Sequence, residues 1–207
     1  GARRVTVKGA GDPPGLPPDF IARHQPEASG AITLSTDAVD ARPVLTYAAS
    51  EDVRRHMLVA LYNVAAPENL PVLDRILRTR HELARLLGYA NWASYDMSSR
   101  MAGDVQTVSA FIDRVVAAAG PKAEREYKEL EAAKQKEAPG EPLRPWDRQY
   151  YGEVVRRASY AFDSQSVRPY FPFDRVLAGV LDVTSRVFGV TYRLQHDVSV
   201  WHPSVRA

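Results

Sequence analysis

Residues 68–87 set Leu70, Leu73, Ile76, Leu77, Leu83, Ala84 and Leu87 at the spacing of one helix face. At about 100° per residue these side chains fall on a single broad stripe, and a chain with several such stripes must pack helix against helix. Gly88 is placed to end this helix as a C-cap. The period recurs over 105–119, where Val105, Val108, Phe111, Ile112, Val115 and Val116 form the apolar side behind a capping Asp104. Two helices are predicted at 41–49 and 51–65, the second opened by Ser50-Glu51-Asp52, a cap followed by an acidic first turn. A short helix covers 91–97, another runs from Trp146 to Phe162, and Phe173 to Phe188 is closed by Gly189. Gly120-Pro121 is expected to separate the 105–119 helix from a second one at 121–138, whose strong helix formers include few bulky apolar residues. That second helix should be mostly exposed.

Extended structure is sparse. Val5 to Lys8 is a short β-branched run, and VTYRLQHDVSVWH, residues 190–202, alternates or nearly alternates and is the best strand signal present. A lone strand is marginal in water, so it wants a partner in Val5 to Lys8, in Ile32 to Leu34, or in further polypeptide. GAGDPPGLPPDF, 9–20, is loop by its Pro and Gly content, with one turn of helix at Asp19 to His24. The reading is a mainly α, multi-helical chain with a little β at the N- and C-terminal ends. It divides into an extended, Pro/Gly-rich connector with short strands at 1–39, a helical domain at 40–188, and a strand at 189–207.

The charge balance of 27 basic and 25 acidic residues in 207 gives a net +2 with no basic stripe, which argues against a nucleic-acid partner. No apolar run of membrane-spanning length occurs, and the opening residues lack the h-region of a signal peptide, so no membrane partner is expected. Cysteine is absent, which fits a reducing cytoplasm first and a periplasm second.

HELAR, 81–85, comes within one residue of the HExxH zinc helix, but its fifth position is Arg85, whose guanidinium has no lone pair for a metal. The helix period points Glu82 to solvent, sets His81 at the edge of the stripe, and puts Arg80 near its middle, where it would need a carboxylate or carbonyl. The other histidines are His24, His56, His196 and His202; on one strand the last two would stand about 20 Å apart, too far to share a metal. No GxSxG, GxxxxGK[ST] or GxGxxG is present, and GAG at 9–11 has no following helix. No catalytic and no metal-binding residue is assigned. Trp146, Tyr150, Tyr151, Tyr160, Tyr170, Phe171 and Phe173 interleave with Arg144, Arg148, Arg156, Arg157 and Arg168. This mix could line a groove, but Trp146, Tyr150 and Val154 have the spacing of a packed helix face with rim arginines.

Five strings add a resemblance. GLP at 15–17, ILRTRHELARLLGYANWASYDMSSRMAG at 76–103, PWDRQYY at 145–151, RPYFPFDRVLAGVLDVTSRVFGV at 168–190 and VWHPSVR at 200–206 resemble, in this order, the thimet oligopeptidase family of zinc metallopeptidases, peptidase family M3. The resemblance implies a zincin-like helical shell around a channel for short peptides. It makes HELAR a structural helix, with the family's own HExxH lying beyond the VWHP segment. The chain is then expected to be a middle piece of a zinc-dependent peptidase, inactive alone, with zinc belonging to the full-length parent and the catalytic half of the same protein as its partner. Tyr170, Phe171, Trp201 and His202 are its candidate channel-wall residues. The alternative is a non-catalytic, truncated paralogue acting as a peptide-binding or interaction domain.

Overall fold

Two short strands open the chain. The computed structural model describes residues 4–7, 15–25, 27–28, 31–163, 165–195, 198–202 and 205. Arg4–Val7 (β1) and Ile32–Ser35 (β2) pair antiparallel, with Val5 opposite Leu34 and Val7 opposite Ile32. The two early β-branched runs thus satisfy each other; Lys8 and the GAG of 9–11 lie outside the described residues. Ile32 and Leu34 face inward, where helices α1 (Pro18–Arg23), α2 (Ala38–Tyr47) and α3 (Glu51–Tyr62) close a core of Leu16, Phe20, Val44, Leu45, Met57 and Leu58 around them. Residues 15–39 therefore supply core side chains as well as connection.

Local chemistry fixes the entrances to these helices. Ser50 Oγ accepts the Val53 N–H, the cap read from Ser50-Glu51-Asp52. Asp40, in the first turn of α2, accepts the Ser35 N–H at 2.8 Å and the Ser35 hydroxyl at 2.7 Å, which folds β2 onto the helix. Gly15 sits at φ +100°, and a Cβ there would lie 2.1 Å from the Tyr47 carbonyl oxygen. Only glycine meets both conditions.

Helices α4 (Leu70–Leu86) and α5 (Trp92–Ser98) follow. Gly88, at φ +84°, ends α4 in a Schellman motif: the Tyr89 N–H reaches the Ala84 carbonyl and the Gly88 N–H the Arg85 carbonyl. Arg80 is exposed rather than buried; its guanidinium lies 5.1 Å over the Trp92 ring of α5, and its charge helps hold the Asp96 carboxyl low. The expected break at Gly120-Pro121 does not occur. Helix α6 runs unbroken from Val105 to Glu137, 33 residues, capped by Asp104 through the Thr107 N–H. Pro121 forgoes one backbone bond, and the helix formers on both sides carry the helix across the gap. A 3-10 turn (Pro145–Asp147) then leads into α7 (Arg148–Tyr160).

The fold divides between Ala161 and Phe162 into two compact units. The second holds a 3-10 turn (Arg168–Tyr170) and α8 (Phe173–Phe188), whose terminal Gly189 donates to the Ser185 carbonyl. The strand read over 190–202 is not found: residues 190–195 and 198–202 carry no strand hydrogen bonding. Alternation records which faces a strand would present, and a strand exists only where a neighbour takes its backbone groups.

Burial departs most from expectation on the amphipathic helices. Of the α4 stripe only Ala84 is buried; Leu70, Leu73, Leu77 and Leu87 are exposed, as are Phe111, Ile112, Val115 and Val116 of α6. In α8 no side chain is buried. Full burial of one such side chain stabilises by about 1.5–3 kcal/mol, so these stripes hold packing energy that the described fold does not use. No described helix is long and apolar enough to cross a membrane.

Because Pro121 lies inside a continuous helix, Pro121→Ala is expected to stabilise the chain by roughly 1–3 kcal/mol. Urea unfolding followed by far-UV circular dichroism measures this, and an unchanged midpoint would mean that α6 is interrupted at residue 121.

Candidate functional site

A carboxylate can enter a dry interior only beside cations and donors. Asp147, fully buried in the 3-10 turn before α7, meets this condition with three partners. Its Oδ1 accepts from Arg54 Nη2 of α3 at 2.6 Å. Its Oδ2 accepts from Lys134 Nζ of α6 at 2.5 Å and from the Arg144 N–H at 3.0 Å. Lys134 also donates to Glu51 Oε2 at 3.0 Å, and Trp146 Nε1–H donates to Glu51 Oε1 at 2.9 Å. Arg54 reaches further, donating through Nη1 to the Ala48 and Ala49 carbonyls at 2.8 Å each and stacking 4.2 Å over the Tyr150 ring. It thereby closes the C-terminal end of α2.

The electrostatics follow from these contacts. Burial alone would raise the Asp147 carboxyl, but the Arg54, Lys134 and Arg144 hydrogen bonds outweigh it and hold the group below the usual carboxylate range. The Trp146 N–H does the same for Glu51, against burial and with Lys134 assisting. Lys134 is raised, its burial being overcome by the two carboxylates. Tyr151, buried beside this cluster with its hydroxyl donating to Glu137, is pushed up by burial and by the glutamate charge. Every charge faces an opposite one, and no base or nucleophile is left poised for chemistry. The cluster is a structural clasp joining α2, α3, α6 and α7. Sequence reading missed Glu51, Arg54, Lys134 and Asp147 because two of their ion pairs join residues 83 and 93 apart and the third, 13 apart, crosses a loop. The one local signal was an acid behind Pro145-Trp146.

A second, partly buried polar contact lies at the N-terminal end. His24 Nε2 stands 3.0 Å from Asp40 Oδ1, and its Nδ1 stands 2.9 Å from the Phe20 carbonyl. Ser35 bonds the aspartate rather than the histidine. The three residues therefore lack the order of a nucleophilic triad and instead tie α1 to α2.

His81, Glu82 and Arg85 all lie on the exposed surface of α4. Zinc needs three or four converging donors. No group of three His, Asp or Glu side chains able to hold a metal comes together among the described residues, and Arg85 occupies the position a second ligand would need. These residues do not fit a zinc ion. The four candidate wall residues belong to the second unit and are exposed: Tyr170 and Phe171 at the 3-10 turn, Trp201 and His202 with ring centroids 5.8 Å apart. His196 lies outside the described residues. Within the aromatic and arginine segment, Trp146, Tyr150 and Tyr151 pack as a helix face should, whereas Tyr160, Tyr170, Phe171 and Phe173 are exposed.

Comparison with known proteins gives a consistent result. The profile of peptidase family M3 matches residues 44–207. Oligopeptidase A of Salmonella typhimurium is 33% identical over 204 residues, covering 93% of this chain and 30% of that protein. Oligopeptidase A of Escherichia coli is 32% identical over the same coverage. A probable thimet oligopeptidase of Arabidopsis thaliana is 28% identical over 193 residues, 93% of this chain and 27% of that protein. The chain spans less than a third of the length of these curated relatives.

The clasp predicts how stability responds to acid. Carboxyls held low in the folded state contribute stability above their unfolded value and lose it as pH falls through the folded one. For Asp147, Glu51 and Asp40, all lowered, stability should be level above pH about 5 and decline below about 4. Asp147→Asn, which leaves buried Arg54 without a carboxylate and Lys134 with Glu51 alone, is expected to cost about 3–5 kcal/mol at neutral pH. Urea midpoints between pH 2 and 7 read both effects; a variant as stable as the parent would remove the clasp from its central role.

Proposed function

Because the chain belongs to peptidase family M3, we propose that it is part of a zinc-dependent oligopeptidase hydrolysing peptide bonds in short peptides. The observation that carries this reading is the family match over residues 44–207, together with one-third identity to oligopeptidase A across 93% of the chain. In this reading the segment contributes the helical wall of a substrate channel. In the same reading the zinc ligands and the water-activating glutamate belong to polypeptide corresponding to other parts of the relatives. Zinc would there polarise the scissile carbonyl. Tyr170, Phe171, Trp201 and His202 are the proposed wall residues; their exposed rings give a peptide backbone and apolar side chains something to lie against. The proposed compartment is the cytoplasm, in keeping with a chain that has no cysteine.

Two measurements test this. The 207-residue chain alone should bind no stoichiometric zinc and show no chelator-sensitive cleavage of a short fluorogenic peptide; finding both would place the catalytic centre within it. Set in place of the matching segment of an intact family member, the chain should support hydrolysis of the same peptide. There, Tyr170→Ala with Phe171→Ala should raise KM roughly three- to tenfold with kcat little changed, as loss of a binding surface does. A fall in kcat alone would move these residues from the wall to the chemistry.

A further inference from the structure

His24 follows the last residue of α1, and each of its ring nitrogens faces an oxygen. Nδ1 lies 2.9 Å from the Phe20 carbonyl oxygen, and Nε2 lies 3.0 Å from Asp40 Oδ1. A carbonyl has no hydrogen to give, and neither has an ionised carboxylate. Asp40 is ionised: burial would raise its carboxyl, but the Ser35 N–H and hydroxyl, both on Oδ2, together with the His24 charge outweigh burial and hold it below the usual range. Both ring nitrogens must therefore carry a proton for both bonds to form, and a neutral imidazole carries one. The surroundings suit a cation, since the Phe20 carbonyl lies near the C-terminal end of α1, where backbone oxygens concentrate partial negative charge. The ring packs against the Phe20 ring with centroids 4.4 Å apart, and the side chain is 15% exposed. The other charges nearby are held by other partners. Arg23 pairs with Asp19 along α1 at 3.7 Å, Asp37 at the start of α2 stands 3.5 Å from the Ser35 hydroxyl, and Glu27 accepts from Thr33 of β2 at 2.8 Å.

We propose that His24 is a proton-operated latch: as an imidazolium it ties α1 to the first turn of α2, and on losing a proton it gives up one of its two bonds and α1 loosens. A ring that kept its proton on Nδ1 would turn a lone pair toward the Asp40 carboxylate, and the tie to α2 would be lost. One that kept it on Nε2 would release the Phe20 carbonyl and with it the end of α1. Either way the loss falls on the segment that carries Leu16 and Phe20 into the core and sets Gly15 against the Tyr47 carbonyl. At six residues α1 is too short to persist on its own hydrogen bonds, so it depends on such ties. His56 gives an internal contrast. Its Nδ1 stands 3.1 Å from Asp52 Oδ2 and 2.9 Å from the Asp52 carbonyl, and its side chain is 58% exposed. A neutral ring protonated on Nδ1 keeps those contacts, so proton loss at His56 leaves α3 undisturbed.

The test uses the whole chain between pH about 5 and 9, a span that brackets the charge change of histidine side chains. Ring-nitrogen NMR spectra count the protons on His24, which is identified by its contact with the Phe20 ring. Amide hydrogen exchange, corrected for the pH dependence of the chemical step, reports the opening of α1 through the Phe20, Ile21 and His24 N–H groups, which bond within its turns. The expected result is a ring protonated on both nitrogens at the acidic end and a roughly three- to tenfold loss of protection as it becomes neutral, the effect of one hydrogen bond. The Asp147 and Glu51 carboxyls, both held low, keep their charge throughout this span, so the step does not come from the clasp. Asp40→Asn separates a latch from a merely structural contact. Its side-chain amide can keep the oxygen toward Ser35 and turn an N–H toward Nε2, so a neutral ring protonated on Nδ1 satisfies every bond and the step should vanish. A His24 ring whose charge does not change across the span, α1 protection that does not follow that charge, or an undiminished step in D40N would each overturn the proposal.

Discussion

Asp147 is the constraint on which the first unit depends. A carboxylate without solvent exposure must be neutralised where it stands, and the two cations that do so come from helices far apart in sequence, Arg54 on α3 and Lys134 on α6. The same arginine closes the end of α2, and the same lysine reaches Glu51 at the start of α3. One turn of backbone, Pro145–Asp147, thus sets where three helices meet. Apolar contact could hold these elements together, but contact between apolar faces tolerates sliding. A carboxylate with a cation on each oxygen does not, because any shift leaves a buried charge unpaired.

The helical architecture was legible because its signals are local. Ser50, Asp104, Gly88 and Gly189 mark ends that a reader of capping chemistry can find, and the apolar period marks what lies between them. The failures have one physical root. Pro121 suggested a break because its cost is local and visible, while the cooperative hydrogen bonding that carries α6 past it is a property of the whole helix. Residues 190–202 alternate, yet their pairing depends on a neighbour that no spacing can reveal. Lys134 stood in a stretch read as solvated and is almost wholly buried, because its partner, Asp147, lies beyond a loop. Local codes gave positions and ends of elements; what touches what was encoded elsewhere.

HELAR shows the difference between a motif and the surroundings that give it meaning. Four of its five letters are compatible with a zinc helix, and the fifth, Arg85, is incompatible with any metal. The geometry agrees, since His81 and Glu82 stand on the exposed side of α4 with no third donor gathered near them among the described residues. Family membership rests on the whole span 44–207 and owes nothing to this near-match. The candidate wall residues are a different case. Tyr170, Phe171, Trp201 and His202 came from the resemblance, and their exposure is what a binding wall and an uncovered packing face have in common, so kinetics must separate the two.

An amphipathic stripe specifies which side of a helix must leave water but not what takes water's place. In α2 and α3 the stripe, the strands and Phe20 answer one another within the first 62 residues, and that core is complete. In α4 and α6 the helices are anchored by the Schellman end at Gly88, the Arg80–Trp92 stack and the clasp at Lys134, yet the same kind of stripe faces outward. A stripe that stays in water leaves unused the roughly 1.5–3 kcal/mol that full burial of each large apolar side chain would supply.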